Sequence, residues 1–270
     1  MEDFLFNNEF AGKHIVVVGA NCEIGRLAAE SFLDFGAKVS VVDIDPALSE
    51  WSNQNSKINS CHILDVNDEL DLEKLVQDLG PSVSGLIYLP RARNHPSLSE
   101  LTEENFLDDM RIGLLGAILT SRALFALMSE NRMHDPFILL MSSVLSRMVS
   151  SNESVGYHIA KAGIEHLARY FASEFGVHGV RVNAISPGWL VKDQHKEFFY
   201  SEENSDYRHS VELTHLLNPI GSIQDIVDAM LFLGSKRSKF ITGQTINVDG
   251  GLSIKEPGSM ILGKYRHATE

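Results

Sequence analysis

The chain has 270 residues, 44% of them hydrophobic, and a formal net charge of -13. That size and composition bury one substantial core and fit a single large α/β domain spanning residues 1–270. The negative balance, with no basic patch to override it, argues against nucleic acid or an anionic membrane surface as a partner, and two cysteines without zinc-like spacing exclude a disulfide scaffold and give no metal site.

The opening MEDFLFNNEF is acidic and lacks the basic start and apolar stretch of a secretory signal. No segment reads as the roughly 20 apolar residues that span a bilayer, so a soluble, cytoplasmic protein is expected.

Short β-branched runs alternate with stretches of helical period, the form of repeated βαβ units around a parallel sheet. Strands are predicted at His14–Gly19, Lys38–Asp43, Ser60–Leu64, Gly85–Leu89, Phe137–Ser142, Arg181–Ile185 and Thr245–Val248. Helices are predicted near Ile24–Phe35, Glu69–Leu79, Glu103–Met128, Val155–Gly176 and Ile223–Leu233. The implied fold is a doubly wound (Rossmann) seven-stranded parallel sheet with helices on both faces. The long irregular region 189–218 leaves the carboxyl edge of the sheet, where open α/β folds bind ligands. It reads as a substrate lid or as a surface insertion. Residues 252–270 form a C-terminal extension, either an arm toward a neighbouring subunit or a free tail.

In GANCEIGR, Gly19 ends the first strand and Ile24–Gly25 opens the helix whose N-terminal N–H groups would face an anion. The middle glycine of such turns is missing, its two possible places being held by Cys22 and Glu23. Asp43 follows Gly25 by eighteen residues, near the spacing at which a carboxylate accepts hydrogen bonds from adenosine ribose and repels a 2′-phosphate. This favours NAD over NADP, the competing reading being an aspartate that only caps the next helix. Asp65, at the end of the third strand, reads by itself as a turn residue or helix cap.

Tyr157 and Lys161, in YHIAK, lie four apart on a predicted helix and share a face. An ammonium about 4 Å from a phenol attracts the phenolate by about 4 kcal/mol at an effective dielectric near 20, enough to lower the phenol pKa by a few units. That would make Tyr157 a workable general acid/base. Upstream, FILLMSS ends a strand in hydroxyls, and Ser143 is placed to share a substrate oxygen with the tyrosine. Downstream, RVNAISPGW breaks at Pro187–Gly188, at the same edge of the sheet.

With YHIAK, MSSV, RVNAISPG and FITGQTINVDGG together, the chain resembles the short-chain dehydrogenase/reductase family, in its compact single-domain branch, from Lys13 to Gly251. The resemblance implies a nicotinamide cofactor and hydride transfer between it and a carbon bearing a hydroxyl or carbonyl. Tyr157 would be the acid/base, Lys161 would bind the nicotinamide ribose and lower the tyrosine pKa, and Ser143 would hold the substrate oxygen, with Ser142 as a minor alternative. The implied cofactor contacts are Gly19, Asn21, Glu23, Ile24, Gly25, Asp43, Ile44, Asp65, Val66, Leu89, Tyr157, Lys161, Pro187 and Gly188.

The chain also departs from the family pattern. Val18 replaces the threonine of the glycine turn, Tyr88–Leu89–Pro90–Arg91 stands where family members carry N-N-A-G, and Gly113 aligns with the asparagine that holds a proton-relay water. Glu23 should weaken nucleotide binding without abolishing it, unless its carboxylate reaches solvent or pairs with Arg26. Water or His158 is the expected substitute in proton delivery. Arg91, Arg93 and His95, just past the fourth strand, suit a polar or anionic small-molecule substrate such as a sugar derivative, or are simply a solvated surface; Trp189 covers the substrate or anchors the lid. Apolar residues on more than one face of the two longest helices point to a homodimer or homotetramer. The rival to an NAD-dependent oxidoreductase is a catalytically silent nucleotide-binding or scaffold protein.

Overall fold

The computed structural model describes residues 8–92, 96–130, 134–191, 195–217, 219–254 and 256. Arg93 and His95, and most of the C-terminal extension, lie outside them. Seven parallel strands form one sheet: β1 (His14–Val18), β2 (Lys38–Asp43), β3 (Ser60–Ile63), β4 (Val83–Tyr88), β5 (Phe137–Met141), β6 (Arg181–Pro187) and β7 (Thr245–Val248). Their order is β3-β2-β1-β4-β5-β6-β7, so the chain reverses its direction of travel between β1 and β4.

The period-two alternation of a strand sends successive side chains to opposite faces. In β1, Ile15 and Val17 enter one core layer with Ala28, Phe32 and Met230, from helices α1 (Glu23–Asp34) and α9 (Ile223–Gly234). Val16 and Val18 enter the other, with Leu75, Leu124 and Ile164 from α3 (Glu69–Leu79), α5 (Gly116–Glu130) and α6 (Val155–Gly176). Because β1, β4 and β5 are covered on both faces, their sequences are mostly apolar, with His14 and Ser84 as buried polar exceptions.

Three differences from the sequence reading have physical causes. Helix α2 (Ala47–Gln54) was not expected, because it is short and only Leu48 and Ser52 of its eight residues are buried. The region 189–218 is not irregular: it carries α7 (Lys196–Tyr200) and α8 (Ser205–Glu212), the latter with no buried residue and so no apolar stripe to announce it. The predicted helix Glu103–Met128 is α4 (Glu103–Met110) and α5 joined by one π-helical turn, Arg111–Leu115.

That joined run, Glu103–Glu130, is long and apolar enough to cross a membrane by length and composition, contrary to the sequence reading. Its apolarity serves the fold: Ala117, Leu119, Leu124 and Met128 are buried in the layer that covers β4 and β5.

Candidate active site

The carboxyl ends of β1, β2, β4, β5 and β6 surround one cleft of about 1140 Å³. It runs from Asp43, Ile44 and Asp45 beyond β2, past the β1 turn and the switch point, to Ser143, Tyr157 and Lys161 beyond β5. Of the residues expected from sequence, Gly19, Asn21, Glu23, Ile24, Asp43, Ile44, Asp65, Val66, Leu89, Arg91, Ser143, Tyr157, Lys161, Pro187 and Gly188 all line it. Gly25 is buried behind the turn and Trp189 is not among the lining residues. The sequence reading missed Asp108, Ile112, Met141, Leu190 and Ile223, whose apolar or helical positions carry no motif.

The β1 turn holds its shape without a middle glycine. Cys22, the residue before α1, has φ -135°, an extended value open to any side chain, and Glu23 is the first residue of the helix itself. The Cys22 thiol donates to the Gly19 carbonyl and accepts from the Gly25 N–H, both at 3.3 Å, tying the two ends of the turn together. The two remaining glycines are required by the backbone. Gly19 has φ +77°, and a Cβ on Gly25 would fall 2.7 Å from Ala20 Cα. Arg26 donates to Asn21 Oδ1 at 2.5 Å and lies over the Trp51 ring, 5.6 Å from its centroid.

Asp43 accepts the Asn21 N–H at 2.8 Å on one oxygen and the Asp45 N–H at 3.0 Å on the other. The carboxylate is therefore fixed at the end of the cleft by the backbone of the turn it faces. Asp65 accepts the Asn67 N–H at 2.9 Å, the turn-residue arrangement that its sequence position suggested.

At the other end, Ser154 caps α6 by accepting the Tyr157 N–H at 3.0 Å and donating to Asp109 at 2.6 Å. This sets Tyr157 in the first turn of the helix and Lys161 one turn on. The two serines separate cleanly. Ser142 donates to the Lys161 carbonyl at 3.0 Å, whereas the Ser143 hydroxyl accepts the Leu145 N–H at 3.2 Å and lies beside the Tyr157 side chain. The extra residue between Ser143 and Tyr157 does not pull them apart.

Lys161 is buried and donates to the Met141 carbonyl at 2.7 Å, its Nζ lying 5.5 Å from the Tyr157 ring centroid. Burial first, then the nearby Arg91, pulls its pKa down to about 7. The Tyr157 phenol moves opposite to the sequence expectation: burial pushes it up, and the hydrogen bond from Ser143 and the charge of Arg91 offset this only in part. Desolvation, invisible in a four-residue spacing, outweighs the cation.

His158, one of the two expected relay groups beside water, has both ring nitrogens engaged. Its Nδ1 faces the Ser154 carbonyl at 2.7 Å and its Nε2 accepts the Ser150 N–H at 3.1 Å, which fixes the Nδ1–H tautomer. Gly113 lies against α6, where any Cβ would come 3.0 Å from Ala160 Cβ. The adjacent Ile112 carbonyl accepts the Tyr88 hydroxyl at 2.6 Å, so Tyr88, from the altered segment after the fourth strand, packs under the π-helical turn. Trp189 sits 5.2 Å from Phe199 and 6.5 Å from Tyr207, ring centroid to ring centroid, anchoring the segment of α7 and α8.

An elongated cleft across the switch point, with a glycine turn and a helix N-terminus at its middle, is the class of site in which doubly wound proteins hold a dinucleotide. A protein-family model described as Enoyl-(Acyl carrier protein) reductase matches residues 19–253. Glucose 1-dehydrogenase of Gluconobacter oxydans is 28% identical over 260 residues, covering 92% of this chain and 95% of its own. The 3-oxoacyl-(acyl-carrier-protein) reductase of Escherichia coli is 28% identical over 248 residues, 90% of this chain and 98% of its own. In fold, the chain matches the structure of a 3-oxoacyl-(acyl-carrier protein) reductase with bound NAD from Brucella melitensis, at a TM-score of 0.81 and 23% identity over 94% of this chain and 96% of that one. The chain belongs to the short-chain dehydrogenase/reductase family, a family of oxidoreductases that bind a nicotinamide cofactor.

Proposed function

We propose that this protein is an NAD(H)-dependent oxidoreductase that moves a hydride between nicotinamide and a secondary alcohol or ketone. The observation that carries the reading is the meeting, in one cleft, of the Ser143–Tyr157–Lys161 group with a nucleotide end marked by Asp43. The residues present fit the cofactor. Gly19 and Gly25 shape the turn, the first turn of α1 offers an anion its N–H groups, and the long cleft matches an extended ligand.

In this reading Asp43 and Ile44 hold the adenosine ribose, Asp65 and Val66 lie by the adenine, and Asn21, Glu23 and Ile24 lie by the pyrophosphate. Leu89, Pro187, Gly188 and Lys161 hold the nicotinamide half. When bound, NAD supplies the hydride acceptor or donor. Tyr157 takes or gives the proton at the substrate oxygen, and Ser143 donates a hydrogen bond to that same oxygen. Both side chains line the same part of the cleft.

The substrate proposed is a polar or anionic small molecule such as a sugar derivative. Arg91 lines the cleft as this requires, and Trp189 acts through the lid it anchors. The similarity to a glucose 1-dehydrogenase lends the sugar reading support. Apolar side chains left exposed on α5 and α6 and on the π-helical turn before α5, Leu115, Ile118, Ile159 and Tyr170, support assembly as a homodimer or homotetramer, and the reading places the protein in the cytoplasm.

The test is a titration with NADH and, in parallel, NADPH, followed by nicotinamide fluorescence, with Asp43→Ala as control. Saturable binding that favours NADH, and a loss of that preference in the variant, is the expected result. A preference for NADPH moves the reading to an NADP enzyme, and no binding of either gives the lead to a silent scaffold.

A further inference from the structure

Resting on the oxidoreductase reading of this cleft, we propose that Asp109 is a positioning residue for Tyr157: buried between α4 and α6, its carboxylate holds the Ser154 hydroxyl, which in turn holds the backbone N–H of the acid/base. No motif points to it. Asp109 lies four residues ahead of Gly113, the place where the family pattern has its asparagine.

The bonds run in one direction. A serine hydroxyl has one proton to give and two lone pairs to offer. That of Ser154 gives its proton to Asp109 Oδ2 at 2.6 Å, so toward Tyr157 the oxygen can only accept, which it does from the backbone N–H at 3.0 Å. The carbonyl of the same serine accepts the His158 Nδ1–H at 2.7 Å, and His158 Nε2 accepts the Ser150 N–H at 3.1 Å. Ser154 thus ties α4 to two successive residues of the first turn of α6, one of them Tyr157.

Packing holds the carboxylate in the same place. A Cβ on Gly156 would fall 2.5 Å from Asp109 Oδ2 and 2.9 Å from Asp109 Cβ, so the backbone of α6 rests directly on this side chain. A carboxylate suits that position, because the N–H groups at a helix N-terminus favour negative charge. One turn further along α6, Ala160 Cβ lies 3.0 Å from where a Cβ on Gly113 would stand, so the run from α4 into the π-helical turn stays close to the helix that carries both Tyr157 and Lys161. Asp109 also opposes the fall in the Lys161 pKa that burial causes.

A proton-transferring phenol must stand within about 2.6–3.2 Å of the substrate oxygen. A misplacement of about 1 Å, which a loosened first turn of α6 would allow, costs about 100-fold in rate. Asp109 touches neither reacting atom, and acts by keeping that turn in register.

The test follows Tyr157 by NMR in the protein without cofactor, with tyrosine labelled by 15N on the backbone and 13C at Cζ and the Tyr157→Phe variant to assign both signals. Asp109→Ala and Ser154→Ala should each move the two signals in the same direction and speed exchange of the Tyr157 amide proton about tenfold, the effect of one lost hydrogen bond. The double variant should go no further than either alone. Asp109→Asn keeps an acceptor and Ser154→Thr keeps a hydroxyl, so both should stay near wild type. Met128→Ala empties part of the core under α5, lowers stability without touching these bonds, and should leave both signals in place. Thermal melts check the fold, and Ser154→Ala against Ser154→Thr carries the test if Asp109→Ala fails to fold. Unmoved signals in the folded alanine variants, a double variant that shows two full effects, an Asp109→Asn protein that matches Asp109→Ala, or an equal displacement in Met128→Ala overturns the proposal. None of these outcomes depends on turnover, so failure to oxidise any alcohol would count against the oxidoreductase reading alone.

Discussion

Restoring the turn glycine and removing a required one should have opposite weight. Gly25→Ala adds a Cβ 2.7 Å from Ala20 Cα and 2.9 Å from the carbonyl oxygens of Ala20 and Gly19, all backbone atoms that cannot rotate away. Ordinary carbon contact begins near 3.4 Å, so α1 and the β1 turn must part by roughly 0.7 Å. Overpacking of this kind costs about 1–3 kcal/mol. At about 2–4 °C per kcal/mol for a chain of this size, the melting temperature should fall by several degrees. The displaced backbone is also the pyrophosphate cradle, so NADH affinity should fall about tenfold or more, each factor of ten being about 1.4 kcal/mol. Cys22→Gly, by contrast, relieves no strain, because Cys22 already has an extended φ of -135°. It removes only the thiol's two bonds across the turn, at a cost of less than about 1 kcal/mol. Thermal melts and NADH fluorescence titrations on both variants decide the matter. A Gly25→Ala protein that melts and binds like wild type, or a Cys22→Gly protein that binds tenfold tighter, would refute the reasoning.

The two serines should part company. Ser142→Ala loses buried bonds to the Lys161 carbonyl and Glu165, lowering stability by about 1–3 kcal/mol in urea denaturation, whereas Ser143→Ala should leave the melt near wild type and cut kcat by about 10–1000-fold. Tyr157→Phe keeps NADH binding and lowers kcat by at least about 100-fold, and retention of turnover would remove Tyr157 from its role. Stability should also fall in mild acid. Burial lowers the His14 pKa from 6.5 to about 4, so the unfolded chain binds a proton that the folded one refuses as pH drops through that window. The full stability is present above pH 6.5, and His14→Gln should flatten the loss below it; an unchanged slope would exclude His14 as the source. The neutral ring is held by Ser40, which continues through Ser60 to His62, a second histidine whose pKa burial lowers.

The sequence by itself determined the sheet and most of the cleft. Apolar runs as regular as HIVVV and FILLM admit little but buried strands, and Gly19, Gly25 and Asp43 fall at intervals set by local turn and strand geometry. The short helices α2 and α8 escaped it, since periodicity reports burial and they bury little. What only the tertiary structure decided was electrostatic. Which serine the protein ties to the Lys161 carbonyl, which way the Tyr157 pKa moves and why His158 is occupied all depend on groups brought together from β4, β5 and α6. A pKa answers to burial and to every charge within a few ångströms, and neither is a property of sequence spacing.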